Sequence, residues 1–526
     1  MYRWLLAGSI FIAAACAPAN QGSVSATDTS IVSPQTERVL AFGFNAIKER
    51  YVTPVVVGNF AFEGMHGLST IDPALSVEKQ SEHVIALRYR DEQIAEYSTP
   101  ANDNVEQWAG LIVRMANDAA LRSTALRGTD REKLYEAVFD ATLSKLDIFS
   151  RYAGFQEAAE HQAARNGFGG IGIRYELLPD EIILTEVMPE TPAAEANLKV
   201  GDHVTAIDNA PVSGQTQTTI SKRLRGPVGS SVSLTVRKSE NPTSAQISLE
   251  RALIVPPTVT LTMKDGIAVM AISSFNSATS FSAYNAVKRA KAMPGFRGMI
   301  LDLRGNPGGL LDQGVAVADL FIAHGRIVSA RGRHPASVQT YDAKPGDPGE
   351  DVPLVALIDG GTASAAEIVA GALQDSGRAV VVGTNSFGKG TVQTVVRMPN
   401  KGEMTLTWSR FHSPSGYALH GLGVLPTICT ADDHAQAASL MTLLREGHPA
   451  VAANMALWRS TGLDDQQQRK QLRSVCPAAK HTDVALDLEV GRELLADRTL
   501  YARAIGILAP EATASTPLPR ASGKKP

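Results

Sequence analysis

Ser364 stands in GTASAAEIVAGALQD, directly after the apolar run VPLVALID, so its hydroxyl falls at or near the start of a helix. There the unpaired backbone N–H groups and the positive end of the helix dipole can stabilise an oxyanion that develops when the serine attacks a carbonyl. The same residues allow a plainer reading. Ser364 with Glu367 three positions on is a capping box, in which the hydroxyl only satisfies a helix N–H, although Thr362 could supply the cap instead. Lys389, in SFGKGTVQ, lies between Gly388 and Gly390 with Gln393 four residues on. Strand and helix periods both return position i+4 to one face, so Gln393 is expected beside Lys389 in either conformation. To accept a serine proton the lysine must be neutral. Lowering its pKa from ~10.4 to ~7.5 costs about 4 kcal/mol, within reach of burial and a hydrogen bond that Gln393 could supply. Alone, the segment reads more readily as a solvated surface lysine, the usual fate of that residue. A third segment, DLRGNPGGLLDQG, follows the strand-like GMILDLRG and offers the backbone N–H groups of Gly308 or Gly309 as donors, or is a simple strand-to-helix loop.

A second constellation begins at GFGGIGI. Gly169, Gly170 and Gly172 let backbone amides converge on one anion, and a peptide carboxylate fits such a nest. The following strand, Ile171 to Tyr175, could pair with an extended peptide by strand addition. GTNSFGKGT nearly spells a P-loop, but Gly390 stands where Ser or Thr must bind magnesium, and TVQTVVRM reads as strand. Nucleotide binding is set aside.

These segments need elements to position them. Residues 34–164 carry helical periodicities with few strand-like runs and read as a mostly helical region. Residues 165–254 switch to short β-branched runs punctuated by Gly, Pro, Asp and Asn. Residues 255–430 alternate strand candidates, GIAVMAIS, GMILDLRG, VPLVALID and AVVVGT, with helical patterns, which predicts active-site residues at strand-to-helix turns. Residues 431–510 return to helix, and 511–526 have the composition of a disordered tail.

The 526 residues, 44% hydrophobic, suffice for several cores, and the net charge of −3 points toward neither nucleic acid nor an anionic surface. Arg3 precedes an apolar run from Leu5 to Ala15, too short to span a bilayer and typical of an export signal. Cys16 directly follows three alanines, and residues 17–33 make a small, polar tether, so residues 1–16 resemble a lipoprotein-type signal peptide with Cys16 as the lipidation site, although Ala13 stands where lipoboxes favour Leu and an ordinary cleavage site with an incidental cysteine is the alternative. An exported chain with one further cysteine pair can join Cys429 to Cys476, two separate buried thiols being the alternative. No metal site and no cofactor is expected, because neither cysteines nor the scattered histidines have ligand spacing.

The string TPAAEANLKVGDHVTAIDNAPV with LRGPVGSSVSLTVRK resembles the PDZ domains of exported bacterial proteases. DLRGNPGG, GTASAAEI and SFGKGTVQ, in this order and after such a module, resemble the carboxyl-terminal processing peptidases, or tail-specific proteases, of family S41, over roughly residues 130–428. The resemblance implies an α+β fold: a ClpP/crotonase-like serine protease core with a PDZ β-domain and helical N- and C-terminal regions. It implies a Ser364 nucleophile, a Lys389 general base oriented by Gln393, and an oxyanion hole from Ala365 with Gly308 or Gly309. Gly169, Gly170, Ile171 and Gly172 would bind the substrate's C-terminus, and Arg225, in LRGPVG, would link groove and active site. Expected partners are proteins or peptides with apolar C-termini and an activating lipoprotein. The expected location is the bacterial cell envelope, facing the periplasm on a lipid anchor. Two departures stand out. A long insertion separates FEGMHGLSTIDPALS from LSKLDIFSRYAGF, and Pro426-Thr427 replaces the family's Pro-Asp. A non-catalytic PDZ adaptor that binds C-termini in the envelope is the main alternative, followed by a hydrolase of non-peptide esters.

Overall fold

The structure, a computed structural model, describes residues 33–432, 434–447, 449–479 and 484–508; Cys16, the leader, most of the tether and the 511–526 tail lie outside them. The apolar runs between residues 266 and 384 form the centre of a six-stranded sheet. Its strand order is Val259–Lys264, Ile267–Ile272, Gly298–Asp302, Leu354–Ile358, Val380–Gly383 and Ile428–Cys429, antiparallel at the first pair and parallel beyond it. Leu354–Ile358 and Val380–Gly383 are buried throughout, as parallel strands covered on both faces must be. Alternate residues serve opposite cores. Met299, Leu301, Leu354 and Ala356 meet the helices Thr279–Ala292, Leu311–Asp319 and Ala365–Asp375, while Ile300, Val355, Leu357 and Val380 meet the C-terminal helices Ala437–Glu446 and Val484–Ala496.

A second sheet runs Gln339–Asp342, Arg326–Arg331, Glu403–His412, Thr391–Arg397, with the short strand Arg151–Ala153 added to Glu403–His412. Its Val396, Met404 and Leu406 enter the core of the N-terminal region, whose main helices are Pro34–Arg50, Val57–Met65, Val105–Arg122 and Arg131–Leu143. This region is less helical than its sequence suggests. The insertion contains a three-stranded antiparallel meander, Leu75–Ser81, Val84–Tyr89 and Glu92–Ser98. Its two reversals, Glu82-His83 and Arg90-Asp91, contain no glycine, and Arg90 takes φ 54° itself, so the usual hairpin signal is missing.

The β-rich segment folds into a sheet ordered Asn241–Glu250, Ser231–Lys238, His203–Ile207, Ile182–Val187, Ile173–Leu177, closed on one side by the helix Gln217–Leu224. Its chain enters and leaves through Phe168–Gly170 and Ala252–Ile254, which pair antiparallel as a two-stranded neck. The whole is α+β. Among the described residues no helix is long and apolar enough to cross a membrane.

Candidate active site and peptide groove

Leu354–Ile358 delivers the chain to Ser364 through a loop held by Asp359, whose Oδ1 accepts from the N–H groups of Gly305 (2.8 Å), Gly361 (2.9 Å) and Thr362 (3.0 Å). Thr362 does not cap the helix; its hydroxyl donates to Leu303 O at 2.9 Å and ties the loop to the Gly298–Asp302 strand. Asn306 completes the union, its carbonyl accepting from Ala363 N–H and its Oδ1 from Gly308 N–H. Gly308 is packed so closely that a Cβ there would lie 2.8 Å from both Ala363 O and Ser364 Cβ and 3.0 Å from the Ala365 nitrogen. The glycine turn therefore lies against Ser364 and the first amide of its helix. Ser364 itself occupies φ 56°, ψ −118°, a conformation that favours glycine.

Ser364 and Glu367 have the approach of a capping box, yet only the carboxylate half is an ordinary hydrogen bond: Ser364 N–H donates to Glu367 Oε2 at 2.8 Å, and the serine side chain makes no capping bond. Glu367, fully buried, reaches further. Its Oε2 also accepts from Lys389 N–H at 2.9 Å, and its Oε1 from Gly388 N–H and the Ser386 hydroxyl, both at 2.6 Å. One carboxylate thus holds the main chain of both candidate catalytic residues. All four partners donate, which suits the ionised form, while burial pushes its carboxyl up. Sequence reading assigned Glu367 only a capping role, because the i to i+3 spacing is identical for both functions.

Lys389 leaves the loop just before the strand Thr391–Arg397. Its amine lies 5.1 Å from the centre of the Phe149 ring, presented by a turn in which Asp147 Oδ1 accepts from the N–H groups of Phe149 and Ser150, both at 2.7 Å. Burial lowers the lysine's pKa, and the Arg151 cation adds to the effect, whereas Glu367 and Asp147 oppose it. The direction is the one a lysine base requires. Gln393 is not hydrogen-bonded to that amine: its side-chain N–H donates to Thr391 Oγ1 at 2.8 Å and Thr407 Oγ1 at 3.4 Å. A register shift between Val392 and Gln393 re-aims the side chain, which spacing alone could not reveal. A cavity of about 440 Å³ opens beside Lys389, lined by Ile148, Phe149, Phe387, Thr391, Arg410 and His420 among others.

The glycine-rich segment divides. Gly170, Ile171 and Gly172, with Ile173, Tyr175, Leu224 and Arg225, line a small cavity of about 80 Å³, whereas Gly169 lies in the neck with its carbonyl accepting from Gly226 N–H. The regular strand begins at Ile173, two residues later than expected, and it is an edge strand. Gly172 at φ 81° leaves no room for a side chain, since a Cβ would come within 2.4 Å of Thr191. Arg225, at the end of the Gln217–Leu224 helix, lays its guanidinium 4.0 Å over the Phe168 ring. The larger adjoining cavity, about 460 Å³, is walled by Glu160 and Ala164 of the helix Phe155–Asn166, which Arg165 fastens to Glu403 of the second sheet at 2.7 Å.

Cys429 and Cys476 are joined as a disulfide with Cα atoms 5.9 Å apart. Beyond it Ala479 meets the loop that leads to Ser364, its carbonyl accepting from Gly360 N–H and the Thr384 hydroxyl, each at 2.8 Å. Thr427, where the family has Asp, accepts from the Gln374 side chain of the Ala365–Asp375 helix at 3.3 Å.

Residues 266–430 match peptidase family S41, and residues 169–249 match the PDZ domain. A carboxy-terminal-processing protease of Bartonella bacilliformis is 37% identical over 303 residues, covering 57% of this chain and 70% of that protein. A probable CtpA-like serine protease of Staphylococcus haemolyticus is 31% identical over 313 residues, 59% of this chain and 62% of that one. Among solved structures, the photosystem II D1 C-terminal processing protease aligns at TM-score 0.38 and 23% identity over 74% of this chain and 92% of its own. With a PDZ module set before the core that carries its serine and lysine loops, the chain belongs to the carboxy-terminal-processing serine peptidases of family S41.

Proposed function

We propose that the chain is an endopeptidase that recognises substrate C-termini through its PDZ groove and cleaves near them with a Ser364/Lys389 pair. The observation that carries this reading is Glu367, which binds the backbone N–H groups of both residues and so ties the start of the Ser364 helix to the Lys389 loop. Lys389 Nζ accepts the proton as Ser364 Oγ bonds to the scissile carbonyl carbon. The carbonyl's electron pair moves to oxygen, into the N–H groups of Ala365 and of the glycine turn. Gly308 N–H is already given to Asn306, so Gly309 is the donor expected from that turn. Lys389 returns the proton to the leaving amine, and a water activated by the same neutral lysine frees the acyl group as a new C-terminus. Gln393 acts at one remove, by fixing Thr391 and with it the chain that follows Gly390.

In the groove, Ile173–Leu177 takes the peptide as an added strand, and the amides at Gly170 to Gly172 take its carboxylate. The domain division that goes with this reading is an N-terminal region of helices and one β-meander at 34–164, the PDZ domain at 165–254, the protease core at 255–430 and a helical region at 431–510. Cys16 would carry the lipid that holds the enzyme, periplasm-facing, in the envelope, where a partner lipoprotein could activate it. Ser364→Ala and Lys389→Ala should each abolish cleavage of a protein with an apolar tail, and retained cleavage by either variant would sink the mechanism. Comparing one substrate with a free and an amidated C-terminus isolates tail recognition: equal rates would remove that half of the proposal.

A further inference from the structure

A buried carboxylate needs a counter-charge, and Glu367 lies near two cations, Lys389 and Arg473. If Lys389 alone neutralised it, the ammonium form would be favoured and the base lost. Arg473 ends the helix Gln466–Arg473, in the C-terminal region to which sequence motifs assign no chemistry. It donates from Nη1 to Leu422 O at 2.6 Å and from Nη2 to Ser386 O at 3.2 Å. Ser386 is the residue whose hydroxyl binds Glu367. Gly388 and Gly423 leave the space that the guanidinium occupies: a Cβ on either would come 3.0 Å or 3.2 Å from Nη1. The helix is held there by Arg469, which donates to the carbonyls of Ala418 and His420, by buried Leu472, and by the Cys429–Cys476 bond just after it.

We propose that Arg473 is a positioning residue for the lysine base, bridging the Lys389 loop to the 418–424 turn and supplying the positive charge that Glu367 would otherwise draw from Lys389. The inference rests on the Ser364/Lys389 reading. The other charges at hand are accounted for. Arg151 and Asp147 face Lys389 from the N-terminal segment with opposite signs, Tyr417 is within the field of Glu367, and Arg469 faces Arg473. Arg410 and Asp147 act on His420, which shares the cavity wall.

The test is the pH profile of kcat/KM for the full chain and its Arg473→Gln, Arg473→Lys and Lys389→Ala variants on one peptide substrate, with folding checked by circular dichroism. Removing the charge should move the acid limb of Arg473→Gln up by about one pH unit, roughly tenfold in rate on that limb, in addition to the fall in plateau that the lost bridge brings. Arg473→Lys keeps the charge and loses the bridge, so its limb should stay in place while its plateau falls. An Arg473→Gln profile lowered equally at every pH, or an Arg473→Lys limb displaced as far as that of Arg473→Gln, overturns the proposal. Should Arg473→Gln not fold, Arg473→Lys decides alone: an unmoved limb supports the charge role, and a full-unit shift refutes it. Activity surviving in Lys389→Ala would instead overturn the base assignment itself, whatever Arg473 does.

Discussion

The loops of the proposed Ser364/Lys389 site and the proposed peptide groove are both built from glycine turns and a helix end, yet they are stabilised in opposite ways. Around Ser364 and Lys389 the main chain is fixed by buried side chains: Asp359, Asn306, Glu367, Ser386 and Thr362 each bind two or more groups from different segments. In the proposed groove the exposed surface is an edge strand and the glycine turn before it, with Arg251 behind donating to the carbonyls of Arg223, Leu224 and Ser231. The difference separates tolerance from precision. A groove that reads backbone accepts many side chains, whereas a site that fixes two atoms depends on single polar contacts.

The largest effect expected from breaking this contrast is at Glu367. Glu367→Gln puts an NH2 where N–H and O–H donors must be accepted, so kcat should fall by about 100-fold through misplaced loops. Stability should drop by roughly 1–3 kcal/mol for the donors left unpaired; a denaturant titration alongside steady-state rates reads both, and unchanged kcat would show that the clamp is dispensable. At Gly172, alanine meets Thr191 and a left-handed backbone. Tail affinity should weaken about tenfold in a peptide titration, while labelling of Ser364 by a serine-directed probe stays unchanged. Loss of labelling would mean that groove and site are not separable in this way. The smallest effect sharpens the electrostatics. Phe149→Ala admits water to the Lys389 amine, relieving the burial that lowers its pKa. The rising limb of the rate profile should move to higher pH, by about half a unit. A shift to lower pH would contradict burial as the main cause.

Much of this was legible in the sequence. The strands that carry the catalytic loops are runs of buried aliphatics, and Ser364 stands at the start of its helix as the pattern predicts. The meander at residues 75–98 was missed because its reversals use charged residues in place of glycine. The bulge at Val392/Gln393, a one-residue irregularity that periodicity cannot register, turns Gln393 toward Thr391 and Thr407. Phe149 and Arg473 were not read as site residues at all, since both reach it from distant segments through tertiary packing alone.

The backbone of Ser364 carries one more consequence. At φ 56° every side chain except glycine's is strained, by about 1–3 kcal/mol. Any drift toward a more stable fold at this position therefore leads to glycine, which has no hydroxyl. Ser364 thus stands against the thermodynamic preference of its own site, so the Ser364→Gly protein should melt higher than the parent chain and Ser364→Ala should not. The inert variant best suited to trapping substrates is thus also the one expected to be the most robust.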